Sequence, residues 1–172
     1  MAATLPPPPV VPVAVAREDG RGTTREGVLV YLETSVAIAA PAPTVWDVLT
    51  DVETWPQWTA STTRVRRLDG GPLRIGSRAR IHQPRLLPAV WTVVDLTPTT
   101  FTWTAHAPGA ATVAYHDLSP HPDGSTTVRL AVDQTGALAP LLAPLLAPLA
   151  RRYLELEAAG LKHRAEDLAR SR

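Results

Sequence analysis

The sequence predicts an α+β fold in which one curved antiparallel sheet of seven strands surrounds a long C-terminal helix. Three observations predict it. An apolar segment with a period of two residues is followed by two short helical patterns. Six further strand-like segments come next, and their connections are too short for crossover helices, so consecutive strands must pair antiparallel. The final 35 residues return to helical spacing, which completes the α+β order.

The composition is that of one globular domain. The chain has 172 residues, of which 45% are hydrophobic, and this content is sufficient for a core. Its formal net charge of +1 lacks the basic excess of a general nucleic-acid binder. Because the chain has no Cys, disulfides, thiolate metal sites and cysteine catalysis are excluded.

The N-terminal residues 1–26 differ from the rest of the chain. They contain Pro6 to Pro9 and Pro12, and proline favours extended polyproline geometry. We therefore expect a flexible Pro-rich arm at 1–26 and one domain at 27–172. The segment lacks the basic and apolar regions of a signal peptide, and the chain has no apolar run of about 18 residues. These features predict a cytoplasmic protein without a membrane span.

The first predicted strand covers residues 28–38, where apolar residues alternate from Val28 to Ile38. The proline-containing segment 40–43 ends it. Residues 44–52 then have helical spacing, and 53–58 reads as a second short helix broken at Pro56. Turn signals separate the later predicted strands, which are 62–68, 77–83, 89–96, 100–106, 112–119 and 125–134.

The C-terminal helix is predicted from apolar residues with three-four spacing. These residues are Leu142, Leu145, Leu149, Tyr153 and Leu156. A proline inside a helix removes a hydrogen bond and clashes with the preceding turn, so we expect Pro144 and Pro148 to kink or loosen the start of the helix. Our hypothesis is that this start is a movable lid.

These elements together make a helix-grip fold. A sheet of seven strands curls, and a single long helix cannot fill its concave side. The remaining space is the predicted pocket for an apolar small molecule.

Strand alternation predicts which side chains face this pocket. The inward residues are Val128 and Leu130 on the last strand, Phe101 and Trp103 on the fourth of the six, and Ile81 on the second. On the strand 89–96 the sequence leaves two faces open. Trp91 and Val93 share one face, and Val90, Val94 and Leu96 make an equally apolar alternative.

Several of these segments resemble a known superfamily. The segment 42–58, APTVWDVLTDVETWPQW, is similar to the opening helices of the polyketide cyclase/dehydrase branch of the START-like superfamily, also called SRPBCC. The similarity continues through 71–81 (GPLRIGSRARI), 91–93, 101–103, 108–109, the strand with His116 and the C-terminal helix, about residues 28–168 in all. The resemblance implies a helix-grip fold, whose members bind lipids, cyclise polyketides or chaperone proteins.

The resemblance also bears on His116. On its strand either Val113 and Tyr115 face inward, or Ala114, His116 and Leu118 do. A His followed two residues later by an apolar residue resembles the family pattern, which favours His116 inward. A neutral imidazole in an apolar pocket can act as a general acid or base, or can bind a ligand oxygen. The alternative is a His that is satisfied by a neighbouring strand or by solvent.

No catalytic motif, cofactor loop or metal-ligand spacing is present, so we expect no cofactor and no metal. We expect the following residues to bind a substrate: Trp58, Ile81, Trp91, Phe101, Trp103, Tyr115, Val128, Leu130, Leu142, Leu145, Leu149 and Tyr153. Trp55 and Trp58 flank Pro56, and packing against the first helix and the sheet edge is the favoured explanation for both. The functional alternative is that Trp58 forms a lip of the pocket.

Three functions remain open. The first is a protein that binds a hydrophobic polyketide- or lipid-like molecule without turnover. The second is a polyketide cyclase or dehydratase with His116 as acid or base, and the third is a protein-binding module of the chaperone type. Arginines alternate on two neighbouring predicted strands at Arg64 and Arg66 and at Arg78 and Arg80. They predict an exposed basic stripe that either is simply solvated or meets an acidic carrier protein.

Overall fold

A computed structural model describes residues 30–137 and 139–171. The predicted Pro-rich arm at 1–26 and the start of the first predicted strand lie outside the described residues, as does the side chain of Leu142.

The structure contains one antiparallel sheet of seven strands and confirms the predicted fold class. The strands are β1 (Val30–Ile38), β2 (Arg64–Arg67), β3 (Arg78–His82), β4 (Ala89–Thr97), β5 (Thr100–Ala107), β6 (Ala110–Pro120) and β7 (Thr126–Thr135). Their spatial order is β1-β7-β6-β5-β4-β3-β2. Consecutive strands from β2 to β7 are therefore neighbours, as the short connections require.

Two short helical segments connect β1 to β2. Helix α1 (Ala42–Thr50) is followed by a 3₁₀ helix at Val52–Gln57. The indole Nε1–H of Trp55 donates a 3.0 Å hydrogen bond to the carbonyl of Leu49 and so ties the two together. Pro56 lies inside the 3₁₀ helix and does not break it, because a 3₁₀ turn uses the φ that proline already has.

Helix α2 (Ala139–Arg170) runs without a break through Pro144 and Pro148. It packs over β1, β7 and α1. Its buried face includes Leu154, Ala158, Leu161 and Ala165. The helix also passes very close to the 3₁₀ helix, since a Cβ added at Gly160 would lie 2.0 Å from the carbonyl oxygen of Trp58. Only glycine fits this crossing.

Strand β4 resolves the two faces that the sequence left open. The register between β4 and β5 shifts between Val93 and Asp95, which marks a β-bulge. Before the bulge Trp91 and Val93 face the helix, and after it Leu96 packs against the core while Val94 is exposed. The reading with Trp91 and Val93 inward is therefore correct, and of the alternative set only Leu96 faces inward, because Val90 and Val94 are exposed.

No helix among the residues that the structure describes is long and apolar enough to cross a bilayer.

Candidate functional site

A cavity of about 520 Å³ lies between α2 and the concave face of the sheet. This size is within the usual range for pockets that bind small molecules. Because α2 covers β1 and the first half of β7, the cavity opens over β3 to β6 and over the second half of β7, at Ala131, Val132 and Gln134. Its inner wall is aromatic and is built by Trp55, Trp91 and Trp103.

The mouth of the cavity is formed by three segments. They are the loop 83–88 between β3 and β4, the turn 108–109 with the adjoining ends of β5 and β6, and the side chains of Leu146, Leu149 and Ala150 on α2. Tyr153 crosses from α2 to the first of these segments, because its hydroxyl donates a hydrogen bond to the carbonyl of Pro84. Burial raises the pKa of Tyr153, so the phenol remains protonated and able to donate.

The tryptophans form one connected cluster centred on Trp103. Its ring centroid lies 5.1 Å from that of Trp55 and 5.4 Å from that of Trp91. The ring centroid of Phe101, on the same strand, lies 4.9 Å from that of Trp103. Such contacts hold large rings in fixed orientations, which leaves a rigid apolar wall.

His116 is the most deeply buried ionisable residue at this wall, with 3% of its surface exposed. Its ring stacks on Phe101 at 4.9 Å and 18°. Its Nδ1 lies 2.9 Å from the carbonyl oxygen of Phe101, and its Nε2 lies 3.1 Å from Oε1 of Glu157. Both ring nitrogens therefore have partners, and one partner is ionisable.

These two contacts determine where protons can be. A carbonyl oxygen only accepts, so Nδ1 must carry a hydrogen. Nε2 of the neutral ring is then an acceptor, and a proton must lie between it and Glu157 for the 3.1 Å contact to be a hydrogen bond. The pair is therefore either imidazole with carboxylic acid or imidazolium with carboxylate. In both forms it holds one exchangeable proton beside the cavity.

Glu157 was not among the predicted site residues. It is 9% exposed and lines the cavity. The signal for it was present in the sequence, since it lies four residues after Tyr153 and four before Leu161, on the buried face of α2. An acidic residue on the core-facing side of a helix needs a buried partner. His116 is that partner.

The sequence of residues 30–166 matches the family model described as polyketide cyclase / dehydrase and lipid transport. The chain belongs to this family. No curated protein sequence matches it. The resemblance to the polyketide cyclase branch of the START-like superfamily is confirmed.

Solved structures in and around this family have the same fold. A START superfamily protein from Mycobacterium smegmatis is 22% identical, with a TM-score of 0.64, over 80% of this chain and 98% of that one. The Zhui aromatase/cyclase of Streptomyces sp. R1128 is 21% identical, with a TM-score of 0.61, over 84% and 95%. A norcoclaurine synthase point mutant from Thalictrum flavum is 11% identical, with a TM-score of 0.65, over 84% and 99%.

In this family member seven of the predicted site residues border the cavity. They are His116, Ile81, Trp91, Trp103, Tyr115, Leu149 and Tyr153. The strand alternation places the side chain of Tyr115 on the opposite face from that of His116. Trp55, which the sequence assigned to packing, is buried and lines the cavity as well.

Five other predicted residues do not line the cavity. Phe101, Val128 and Leu130 face the helix side of the sheet, as predicted. They are fully buried in the core, because His116 covers Phe101 and α2 covers this part of β7. Trp58 packs beneath α2 at Gly160, with its Nε1 buried and without a hydrogen-bond partner in the described part of the chain. Leu145 is 73% exposed, because the first turns of α2 extend beyond the sheet. The side chain of the remaining one, Leu142, is outside the described residues.

The predicted basic stripe lies on the convex face of the sheet. Arg64, Arg66, Arg78 and Arg80 are all exposed, and Arg66 and Arg80 lie opposite each other in the β2–β3 ladder. Between residues 30 and 171, leaving out 138, no three His, Asp or Glu side chains come close enough to hold a metal ion.

Proposed function

We propose that this protein binds a hydrophobic small molecule with a flat aromatic or polyketide-like skeleton in the cavity. The observation that carries the proposal is a 520 Å³ space with three tryptophans in its wall and the His116–Glu157 pair buried among them. Tryptophan faces stack on flat apolar ring systems. The buried pair adds one polar contact, which would select a ligand with a hydroxyl or carbonyl oxygen at that depth.

Catalysis of a cyclisation or dehydration is the second candidate, and the proton held by the His116–Glu157 pair favours it. The pair would give its proton to a β-hydroxyl group of the substrate, which leaves as water. It would then take a proton from the carbon next to the carbonyl, so that a C=C bond forms and the pair returns to its first state. The aromatic wall of the cavity would hold the substrate in the folded conformation that this reaction needs. The structural similarity to the Zhui aromatase/cyclase supports this candidate at the level of fold.

Blocking the cavity tests ligand binding. The side chain of Ala150 is half-buried and lines the cavity, whereas Ala159 on the same helix is exposed. We expect Ala150→Trp to abolish the quenching of tryptophan fluorescence by an added aromatic polyphenol, and Ala159→Trp to leave it unchanged. Native mass spectrometry of the purified protein would identify a ligand that co-purifies. Equal binding by both variants would refute the proposal.

Two further variants separate binding from turnover. If the pair only positions a ligand oxygen, His116→Ala weakens binding modestly and no product forms with the wild type. If it transfers protons, His116→Ala and Glu157→Gln each lower the turnover of a soluble poly-β-ketone at least about a hundredfold while binding survives. The appearance of a new ring system is followed by near-ultraviolet absorbance.

An acidic carrier protein and a cytoplasmic location stay predictions. The exposure of Arg64, Arg66, Arg78 and Arg80 supports the carrier proposal. Changing these arginines to Glu would abolish binding to an acidic carrier protein if the stripe is the docking site. The protein-binding module needs no cavity, so the cavity favours ligand binding over it.

A further inference from the structure

The most exposed apolar side chains lie at the mouth of the cavity. Among large hydrophobic residues in the described part of the chain, the three most exposed are Leu87 at 89%, Leu141 at 76% and Leu145 at 73%. Leu86, beside the first of them, is 37% exposed. Exposed leucines scattered singly need no explanation, but a cluster around a pocket entrance indicates an interaction surface.

These leucines come from two separate elements that meet. Leu86 and Leu87 belong to the loop 83–88, which Tyr153 ties to α2 through Pro84. Leu141, Leu145 and Leu149 follow each other at intervals of four residues on α2, and Leu149 lines the cavity. The exposed pair therefore continues the same helix face outward from the mouth. We call Leu86, Leu87, Leu141 and Leu145 the mouth patch.

The charged residues nearest to the mouth patch in the sequence are arginines, and Asp133 and Glu155 lie just outside the segments that carry the mouth. Three segments of the sequence carry the mouth, namely 82–91, 105–114 and 134–154. They contain no Asp and no Glu, although the chain has 16 acidic residues. The same segments contain Arg85, Arg151 and Arg152. Arg85 and Arg152 are exposed and Arg151 is half-buried. The first three turns of α2 carry no charge at all before this arginine pair.

We propose that the mouth patch docks on the surface of an anionic lipid bilayer, so that the cavity opens toward the lipid. Leucines that insert at the headgroup boundary, with arginines beside them, are the combination that binds such a surface. An acidic protein partner would account for the arginines, but the uncharged start of α2 and the exposed leucines fit an apolar layer better. The docking surface does not depend on the nature of the ligand in the cavity.

Vesicle binding of the full chain without added ligand tests this proposal. We expect co-sedimentation with phosphatidylcholine vesicles that contain phosphatidylglycerol, weaker binding at high salt, and little binding to phosphatidylcholine alone. Arg151→Gln/Arg152→Gln should lower the affinity about 30-fold, which is about fivefold for each arginine. Leu141→Gln/Leu145→Gln should lower it at least about tenfold. Neither pair lines the cavity, so ligand binding in solution should be unchanged.

Matched controls come from the opposite end of the sheet and of the helix. Ile75 is 62% exposed in the loop between β2 and β3, and Arg74 and Arg164 are exposed. We expect Ile75→Gln and Arg74→Gln/Arg164→Gln to bind vesicles as the wild type does. Ala150→Trp, which fills the cavity, should bind vesicles normally, so a failure of the proposed ligand binding is distinguishable from a failure of docking.

Three results would overturn the proposal. The first is no binding to anionic vesicles, and the second is an equal loss of binding in the control variants. The third is a dimer in analytical ultracentrifugation that Leu141→Gln/Leu145→Gln dissociates, in the absence of vesicle binding, since this would assign the mouth patch to a second copy of the chain.

Discussion

The contact between His116 and Glu157 should contribute a measurable coupling energy to folding. His116→Leu removes the partner of a buried carboxyl group and also leaves the carbonyl of Phe101 without its donor. Removing one partner of a buried ion pair costs about 3–5 kcal/mol, so we expect a destabilisation of about 4 kcal/mol. Glu157→Leu leaves only Nε2 unpaired, which costs about 2 kcal/mol.

The double variant carries the argument. It leaves no buried charge. The Phe101 carbonyl still loses its hydrogen-bond donor and some packing is lost, so we expect a destabilisation of about 3 kcal/mol. The effect of the two substitutions together is thus about 3 kcal/mol smaller than the sum of their separate effects. Urea unfolding of the four proteins at pH 7 measures this difference.

A surface pair gives the matched control. Asp117, which follows His116 on the same strand, makes a 2.5 Å ion pair with Arg129, and these side chains are 29% and 41% exposed. The same set of single and double substitutions at Asp117 and Arg129 should give a coupling energy of less than about 1 kcal/mol. If the His116 and Glu157 substitutions are additive within about 0.5 kcal/mol, no shared proton links the two side chains and the proton argument fails.

Three further predictions follow from contacts elsewhere in the fold. Gly160→Ala should lower the free energy of unfolding by about 2 kcal/mol in urea, although alanine favours helices, because its Cβ would meet the Trp58 carbonyl at 2.0 Å; a stabilised variant would contradict this crossing. Arg85→Gly should raise the free energy of unfolding by about 0.5 kcal/mol in urea, because Arg85 has a φ of 64°; an unchanged or lower free energy of unfolding would argue against strain there. Lys162 and the main-chain N–H of residue 39 hold the pKa of Glu166 below its usual range. Its contribution is therefore present above the ordinary glutamate pKa and is lost as the pH falls through the lowered pKa, so Glu166→Gln should be less stable than the wild type at pH 7, by up to about 1 kcal/mol, and the gap should close in acid; a gap that is independent of pH would refute it.

The order of elements was predictable because it depends on local patterns. Short connections determined the strand order, and three-four spacing located α2. Alternation also predicted correctly that Phe101, Trp103, Ile81, Val128 and Leu130 face the helix side of the sheet.

The division of these residues into core and cavity wall could not be predicted from alternation. It depends on where α2 crosses the sheet, and the close approach of Gly160 to Trp58 is one of the long-range contacts of that helix. The helix covers β1 and β7, so Val128 and Leu130 become core while Trp91 and Trp103 border empty space. A two-residue period carries no information about such a long-range crossing.

Only one residue of the buried pair, His116, was predicted, and the reason is similar. The strand pattern left two faces open for His116 and the family resemblance favoured the inward one, but its partner lies 41 residues later on another element. The β-bulge in β4 was also invisible to a strict alternation, and it alone explains why Trp91 and Leu96 face the same side.

The proton on Nδ1 of His116 is held by a main-chain atom. Phe101 and His116 lie directly opposite each other in the ladder, and the carbonyl at position 101 is present whatever side chain stands there. Substitutions among the surrounding rings can therefore reshape the hollow for a different guest without moving this hydrogen. Ligand choice and the tautomer of this imidazole are separable in such a scaffold, because the one depends on the side chains around the cavity and the other on a main-chain atom.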